Sequence, residues 1–231
     1  MKRFYKKAEP VPAAGGHGIT LDGRLVKTSA KHDLIVPSLA LAVAVAEEWD
    51  AQQREIRREA MPLTRLAGAT IDRSGAQRDA VVRQVADYAG TDLVCYRAAH
   101  PPALAALQQA VWQPLIDWAV ERYGAPFVVT SGIVPVHQPA ASLAAFAKAV
   151  AEHDDFSLTA LHAATGAAGS LVIALALLEG RLEPDPAFAA SQLDESFQIE
   201  TWGEDSEQAE RRAALAAEIA SAARFVSLLG A

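Results

Sequence analysis

A single change of hydrophobic period, at Ser38, constrains this chain more than any other feature. Before it, short apolar runs are separated by turn residues. Ile19-Thr20-Leu21 and Arg24-Leu25-Val26-Lys27 flank Asp22-Gly23, a pair whose tolerance of positive φ makes it a strong hairpin signal. Phe4-Tyr5 and Leu34-Ile35-Val36 read as further short strands, with Pro10, Pro12 and Gly15-Gly16 as punctuation. After Ser38, Leu39, Leu41, Ala42, Val45, Ala46 and Trp49 recur at helical spacing, and Ser38 itself is placed to cap that helix. The pattern predicts further helices over about 63–72, 76–89, 101–123, 139–152, 157–180, 185–201 and 205–229. Two β-like pieces interrupt them, Leu93-Val94-Cys95-Tyr96 and Phe127-Val128-Val129-Thr130. The expectation is an α+β protein: a small β-rich N-terminal domain with its first helices, residues 1–75, followed by a larger, mainly helical domain, residues 76–231.

Composition narrows the function classes. Of 231 residues, 51% are apolar and 21% charged, enough to bury a sizeable core and too apolar for global disorder. A net charge of −7 argues against a nucleic-acid or anionic-membrane surface, both of which need clustered Lys and Arg. The longest apolar run, Leu171 to Leu178, is well short of the roughly 20 residues that cross a bilayer, so membrane insertion is not expected. Cys95 is the only cysteine, which excludes an internal disulfide and fits a reducing compartment. The basic start, Lys2-Arg3-Phe4-Tyr5-Lys6-Lys7, has no apolar region behind it, so a cytoplasmic protein without a signal peptide is expected.

The chain offers little assembled chemistry. Gly15-Gly16-His17-Gly18 leads into a strand and lacks a following Lys-Ser/Thr, so it reads as a turn and not a phosphate cradle. The six histidines show no paired spacing for zinc, and no cofactor or metal is expected. Cys95 sits in an apolar run, as a buried inert thiol would. Asp154-Asp155 precede a helix, where negative charge favours the N-terminus. Gly166 and Gly169-Ser170 fall inside a strong apolar helical pattern, which predicts close helix–helix approach there.

The segment from Leu193 to Asp205 is the most informative. As one helix with the residues before it, Asp194 and Gln198 share a face and Gly203 ends the helix. Acidic residues crowd that C-terminal end, where the helix dipole disfavours them. Two readings stand: a solvated acidic face, or carboxylates positioned for an external cationic group. An enzyme using Asp194 and Glu195 as an acid–base pair is the competing class.

Leu-Asp-Glu-x-x-Gln-Ile-Glu-x-Trp-Gly-Glu at 193–204 resembles the signature of the assembly chaperones that bind the alpha subunit of the ATP synthase F1 sector. Further stretches agree in order: Lys2-Arg3-Phe4-Tyr5, Leu21-Asp22-Gly23-Arg24, Ala46-Glu47-Glu48-Trp49-Asp50, Met61-Pro62-Leu63-Thr64, Asp92-Leu93-Val94-Cys95-Tyr96-Arg97 and Trp112-x-Pro114-Leu115. The resemblance implies a protein that binds unassembled alpha subunit and shields the apolar surface later covered by beta. It would thereby prevent aggregation, consuming no nucleotide and needing no cofactor. It implies a partner-binding set of Asp194, Glu195, Gln198, Glu200, Trp202 and Glu204, with Asp194 at the family's critical acidic position. Trp49 matches a family position expected to be structural. The start of the chain at the family's first strand fits a bacterial member.

Overall fold

Asp22 and Gly23 both take positive φ (48° and 81°), as a two-residue hairpin turn requires, and the strands they join define the sheet. The computed structural model describes residues 1–73, 75, 77–132 and 134–230. Its described residues fall into two compact units, one made of 1–78, 155–160 and 224–231, the other of 79–154 and 161–223. The expected boundary at 75/76 and the expected helix start at 76 involve a residue outside the described set.

The first unit holds β1 (Ala8–Ala13), β2 (Gly16–Leu21), β3 (Arg24–Leu25), β4 (Ile35–Val36), α1 (Leu39–Asp50) and α2 (Pro62–Arg73). The central strand β2 pairs antiparallel with β1, β3 and β4. Ile19, Leu21, Leu34 and Val36 from this sheet and Leu41, Val45 and Leu63 from the helices are buried. β1 is a strand that the sequence pattern conceals, because Pro10 and Pro12 lie within it. As an edge strand it has one unpaired side, so the missing N–H groups cost the ladder little. Phe4-Tyr5, by contrast, is not a strand. That segment is held by Arg3, which donates to the carbonyls of Tyr5, Lys6, Asp50 and Gln52 and to the Asp50 carboxylate. Gly16 is required at its position: a Cβ there would lie 2.2 Å from the Val36 carbonyl oxygen.

Ser38 caps α1, its Oγ accepting from the Leu41 N–H at 3.1 Å. Glu48 links α1 to α2. Its carboxylate accepts from the backbone N–H of Leu63 and Thr64 and from the Thr64 hydroxyl, each at 2.7 Å, at the positive end of α2. Glu48→Ala is expected to cost roughly 1–2 kcal/mol, since these bonds are charge-assisted and only partly shielded from water. Urea denaturation checks this; an unchanged midpoint would show that water replaces the carboxylate.

The second unit contains α3 (Arg78–Asp87), which begins at the last residue of the first unit, then β5 (Tyr96–Arg97), α4 (Pro102–Tyr123), β6 (Thr130–Ser131) and α5 (Ala140–Ala151). It continues through α6 (Asp155–Ala168), α7 (Leu171–Leu178), α8 (Pro184–Ser191), α9 (Leu193–Trp202) and α10 (Ser206–Ser227), with the first residues of α6 and the last of α10 belonging to the first unit. α7 is buried from Leu171 through Leu177 and packs against α4 and α8. Leu93–Cys95 is a 3-10 turn and not a strand, and of the expected strand at 127–130 only Thr130 joins the short parallel pair of β5 and β6. Burial pushes the Cys95 thiol up to about 12, which leaves it inert.

The predicted helix over 157–180 is broken in two. Gly169 takes φ +66° and ends α6, and the Ser170 hydroxyl then caps α7 by accepting from Ile173 N–H. The glycine serves a turn, not a close approach, and a Cβ at Gly166 would meet nothing within 4 Å. Overall the architecture is α+β, with the strands of residues 8–36 preceding the helices.

Candidate partner-binding site

The predicted helix over 185–201 is also broken, at Gln192, whose φ −108° and ψ 21° leave the helical range. That break changes the electrostatics of the signature. Asp194 and Glu195 lie in the first turn of α9, where the dipole favours carboxylates, and not near a helix C-terminus. Gly203 does end the helix, with φ 86°.

Asp194 is half-buried and anchored from the core. Its Oδ1 accepts from Gln108 Nε2 at 2.7 Å. Gln108, on α4, is only 1% exposed, and its side-chain oxygen accepts from Ala98 N–H at 2.6 Å. The buried Arg97 donates through Nη1 to the Gln108 main-chain carbonyl at 3.0 Å and stacks over the Trp112 ring. Burial holds the Arg97 guanidinium below its usual range, and the Asp194 carboxylate acts in the opposite direction. The Trp112 indole donates to the Ala190 carbonyl at 2.8 Å, so α4 grips both α8 and α9.

The next acidic residues are held by α10. Glu195 accepts from Gln208 Nε2 at 3.0 Å. Arg212, one turn further along α10, pairs with Glu204 at 3.1 Å, donates to Ser196 Oγ and lies over the Phe188 ring. Asp205 caps α10 by accepting from Gln208 N–H. The carboxylates of Asp194 and Glu195 therefore engage different amides on different helices.

What remains outward is a small surface. Gln198, Glu200 and Trp202 are exposed, and their side chains have no hydrogen-bond partner among the described residues; Trp202 is 79% exposed. The sequence-predicted set thus divides into anchored residues (Asp194, Glu195, Glu204) and outward ones (Gln198, Glu200, Trp202). Sequence reasoning missed Gln108, Arg97, Gln208 and Arg212. Gln108 carried a signal: it stands between Leu104 and Trp112 at successive four-residue steps, a polar residue on a core-facing stripe.

Trp49, in the first unit, is half-buried, with its ring edge-on to Tyr5 at 5.8 Å and its carbonyl accepting from the Tyr5 hydroxyl at 2.6 Å. Among the described residues, no group of three or more His, Cys, Asp or Glu is placed to hold a metal ion, and no helix is long and apolar enough to cross a membrane.

Residues 2–120 match the family model described as ATP12 chaperone protein. The crystal structure of Atp12 from Paracoccus denitrificans is 42% identical, with a TM-score of 0.93 over 99% of this chain and 98% of that one. A crystal structure of an Agrobacterium tumefaciens protein is 39% identical, with a TM-score of 0.94 over 99% of this chain and 86% of that one. The mitochondrial protein atp12 of Schizosaccharomyces pombe is 23% identical over 214 residues, which span 87% of this chain and 74% of that protein. With a family model matching more than half its length and a solved relative alike from end to end, the chain belongs to the ATP12 chaperone family.

Proposed function

We propose that this protein is an assembly chaperone of the ATP synthase F1 sector that works in the cytoplasm by binding, not by turnover. Its client is the unassembled alpha subunit, whose apolar beta-facing surface it covers until beta joins. The observation that carries the contact site is Trp202, a large aromatic left 79% exposed beside the unpaired Gln198 and Glu200. Aromatic residues of this kind dominate protein interfaces, and an acidic surround suits a cationic patch on the client. Asp194, Glu195 and Glu204 hold that face in place from beneath.

Light scattering during refolding of purified F1 alpha subunit tests the function. Addition of this protein is expected to suppress scattering, and subsequent addition of beta to release it; unchanged scattering would refute the reading. Trp202→Ser tests the face. Stability should change by less than about 0.5 kcal/mol, since the side chain is exposed. Capture of alpha should weaken by roughly 30-fold, the loss of an interface anchor worth about 2 kcal/mol. Wild-type capture by this variant would place the contact elsewhere.

A further inference from the structure

The first unit contains a cleft of about 440 Å³ between the connection from β3 to β4 and α2. Its floor is apolar, built from the buried Val26, Leu34 and Met61, and Gly68 and Trp49 form part of its wall. Two observations mark it as more than a packing defect. The Trp49 indole Nε1 is buried with no acceptor among the described residues, an uncommon state for a tryptophan N–H. The rim is also cationic in a chain of net charge −7: Arg58 and Arg73 are exposed there and have no carboxylate partner among the described residues. The other charges nearby are engaged. Lys27 pairs with Asp33 at 2.6 Å, and Asp72 accepts from the Thr28 hydroxyl, the Ala30 N–H and the His32 ring.

An apolar floor selects an apolar side chain, and an unpaired cationic rim selects a carboxylate beside it. The volume admits one or two side chains of an extended segment. We infer that this cleft is a second client site, which takes an extended peptide segment carrying an apolar side chain next to an acidic residue. Resting on the chaperone reading, it assigns the client two contacts of opposite charge: an acidic-apolar segment here and a cationic patch at Trp202.

Two variants separate the cleft from the fold. Gly68→Leu fills it, because a Cβ at Gly68 meets nothing within 4 Å and leucine is the better helix former. The double variant Arg58→Glu, Arg73→Glu reverses the rim at two exposed positions. The probes are two fluorescent nonapeptides with a central Leu-Phe, flanked in one by glutamates and in the other by lysines. Anisotropy should show the wild type preferring the glutamate peptide at least tenfold. Gly68→Leu should weaken that binding tenfold or more with no fall in melting temperature, and the charge reversal should turn the preference toward lysine. No preference in the wild type, or unchanged binding of the glutamate peptide by both variants, overturns the inference. Alpha-subunit refolding run in parallel keeps the two readings apart. If wild type protects alpha and both variants protect it equally well, the cleft is not a client site and the chaperone reading stands. If the peptides discriminate but alpha is unprotected, the cleft stands and the client is another chain.

Discussion

Asp194→Lys should lower stability by roughly 2–4 kcal/mol, more than a surface charge change costs. Three effects add in the same direction. Gln108 Nε2, in a residue 1% exposed, loses its acceptor at 2.7 Å, and an orphaned buried donor costs about 1–3 kcal/mol. A cation replaces an anion in the first turn of α9, worth about 0.3–1 kcal/mol with the wrong sign. The new ammonium also faces the buried Arg97 guanidinium, which Asp194 now balances. At about 2–4 °C per kcal/mol for a chain of this size, melting should fall by roughly 4–16 °C. Asp194→Asn keeps an acceptor for Gln108 and should cost about 1 kcal/mol or less. Melting and alpha capture on both variants divide the roles. Lost capture by Asp194→Asn at wild-type stability would make the carboxylate a direct client contact. Lost capture only where melting falls would make Asp194 the anchor that orients Trp202. A Lys variant that melts like wild type would refute the anchoring account.

Asp92→Asn should change the pH dependence of folding. Asp92 is fully buried and accepts from Ser170 Oγ at 2.6 Å, Val172 N–H at 3.1 Å and Val94 N–H at 3.2 Å, tying the turn at 93–95 to the start of α7. Burial nevertheless outweighs these donors and pushes the carboxyl up to about 6. A carboxyl raised on folding contributes stability that is fully present below its unfolded value near 4 and lost as pH rises through about 6. The shift of about two units corresponds to about 3 kcal/mol. Asparagine cannot ionise and lacks this dependence, while its NH2 group opposes the Val172 N–H and costs about 1–3 kcal/mol at every pH. The stability advantage of wild type over Asp92→Asn should therefore be largest near pH 4 and fall by about 3 kcal/mol by pH 7.5, where it vanishes or reverses. Urea denaturation at pH 4, 5, 6 and 7.5 measures it. An advantage that grows with pH would show instead that the donors outweigh burial and hold the carboxylate ionised.

Features decided by a few neighbouring residues were legible in the sequence: the turn at Asp22-Gly23, the Ser38 cap, the helix stop at Gly203 and the change from strand to helix period. Each follows from a backbone φ preference, a nearby hydroxyl or the spacing of apolar side chains, none of which needs a distant partner. Membership of the family was legible too, through motifs spread along the chain. Local signals misled where a distant partner overrode them. Pro10 and Pro12 argue against a strand, yet pairing along one edge of β2 makes β1 one. The apolar period runs unbroken through Gly169-Ser170 and Gln192, but both helices stop there. At the first of these, Asp92, far back in the chain, accepts from the Ser170 hydroxyl and the Val172 N–H. The same holds for the signature. Its residues could be named from the sequence, but not which of them face inward. That division rests on Gln108 meeting Asp194 across 86 residues and on Arg212 reaching back to Glu204. Only the packed helices bring those donors within hydrogen-bonding distance, and so only the tertiary structure makes Asp194 an anchor and leaves Trp202 in solvent.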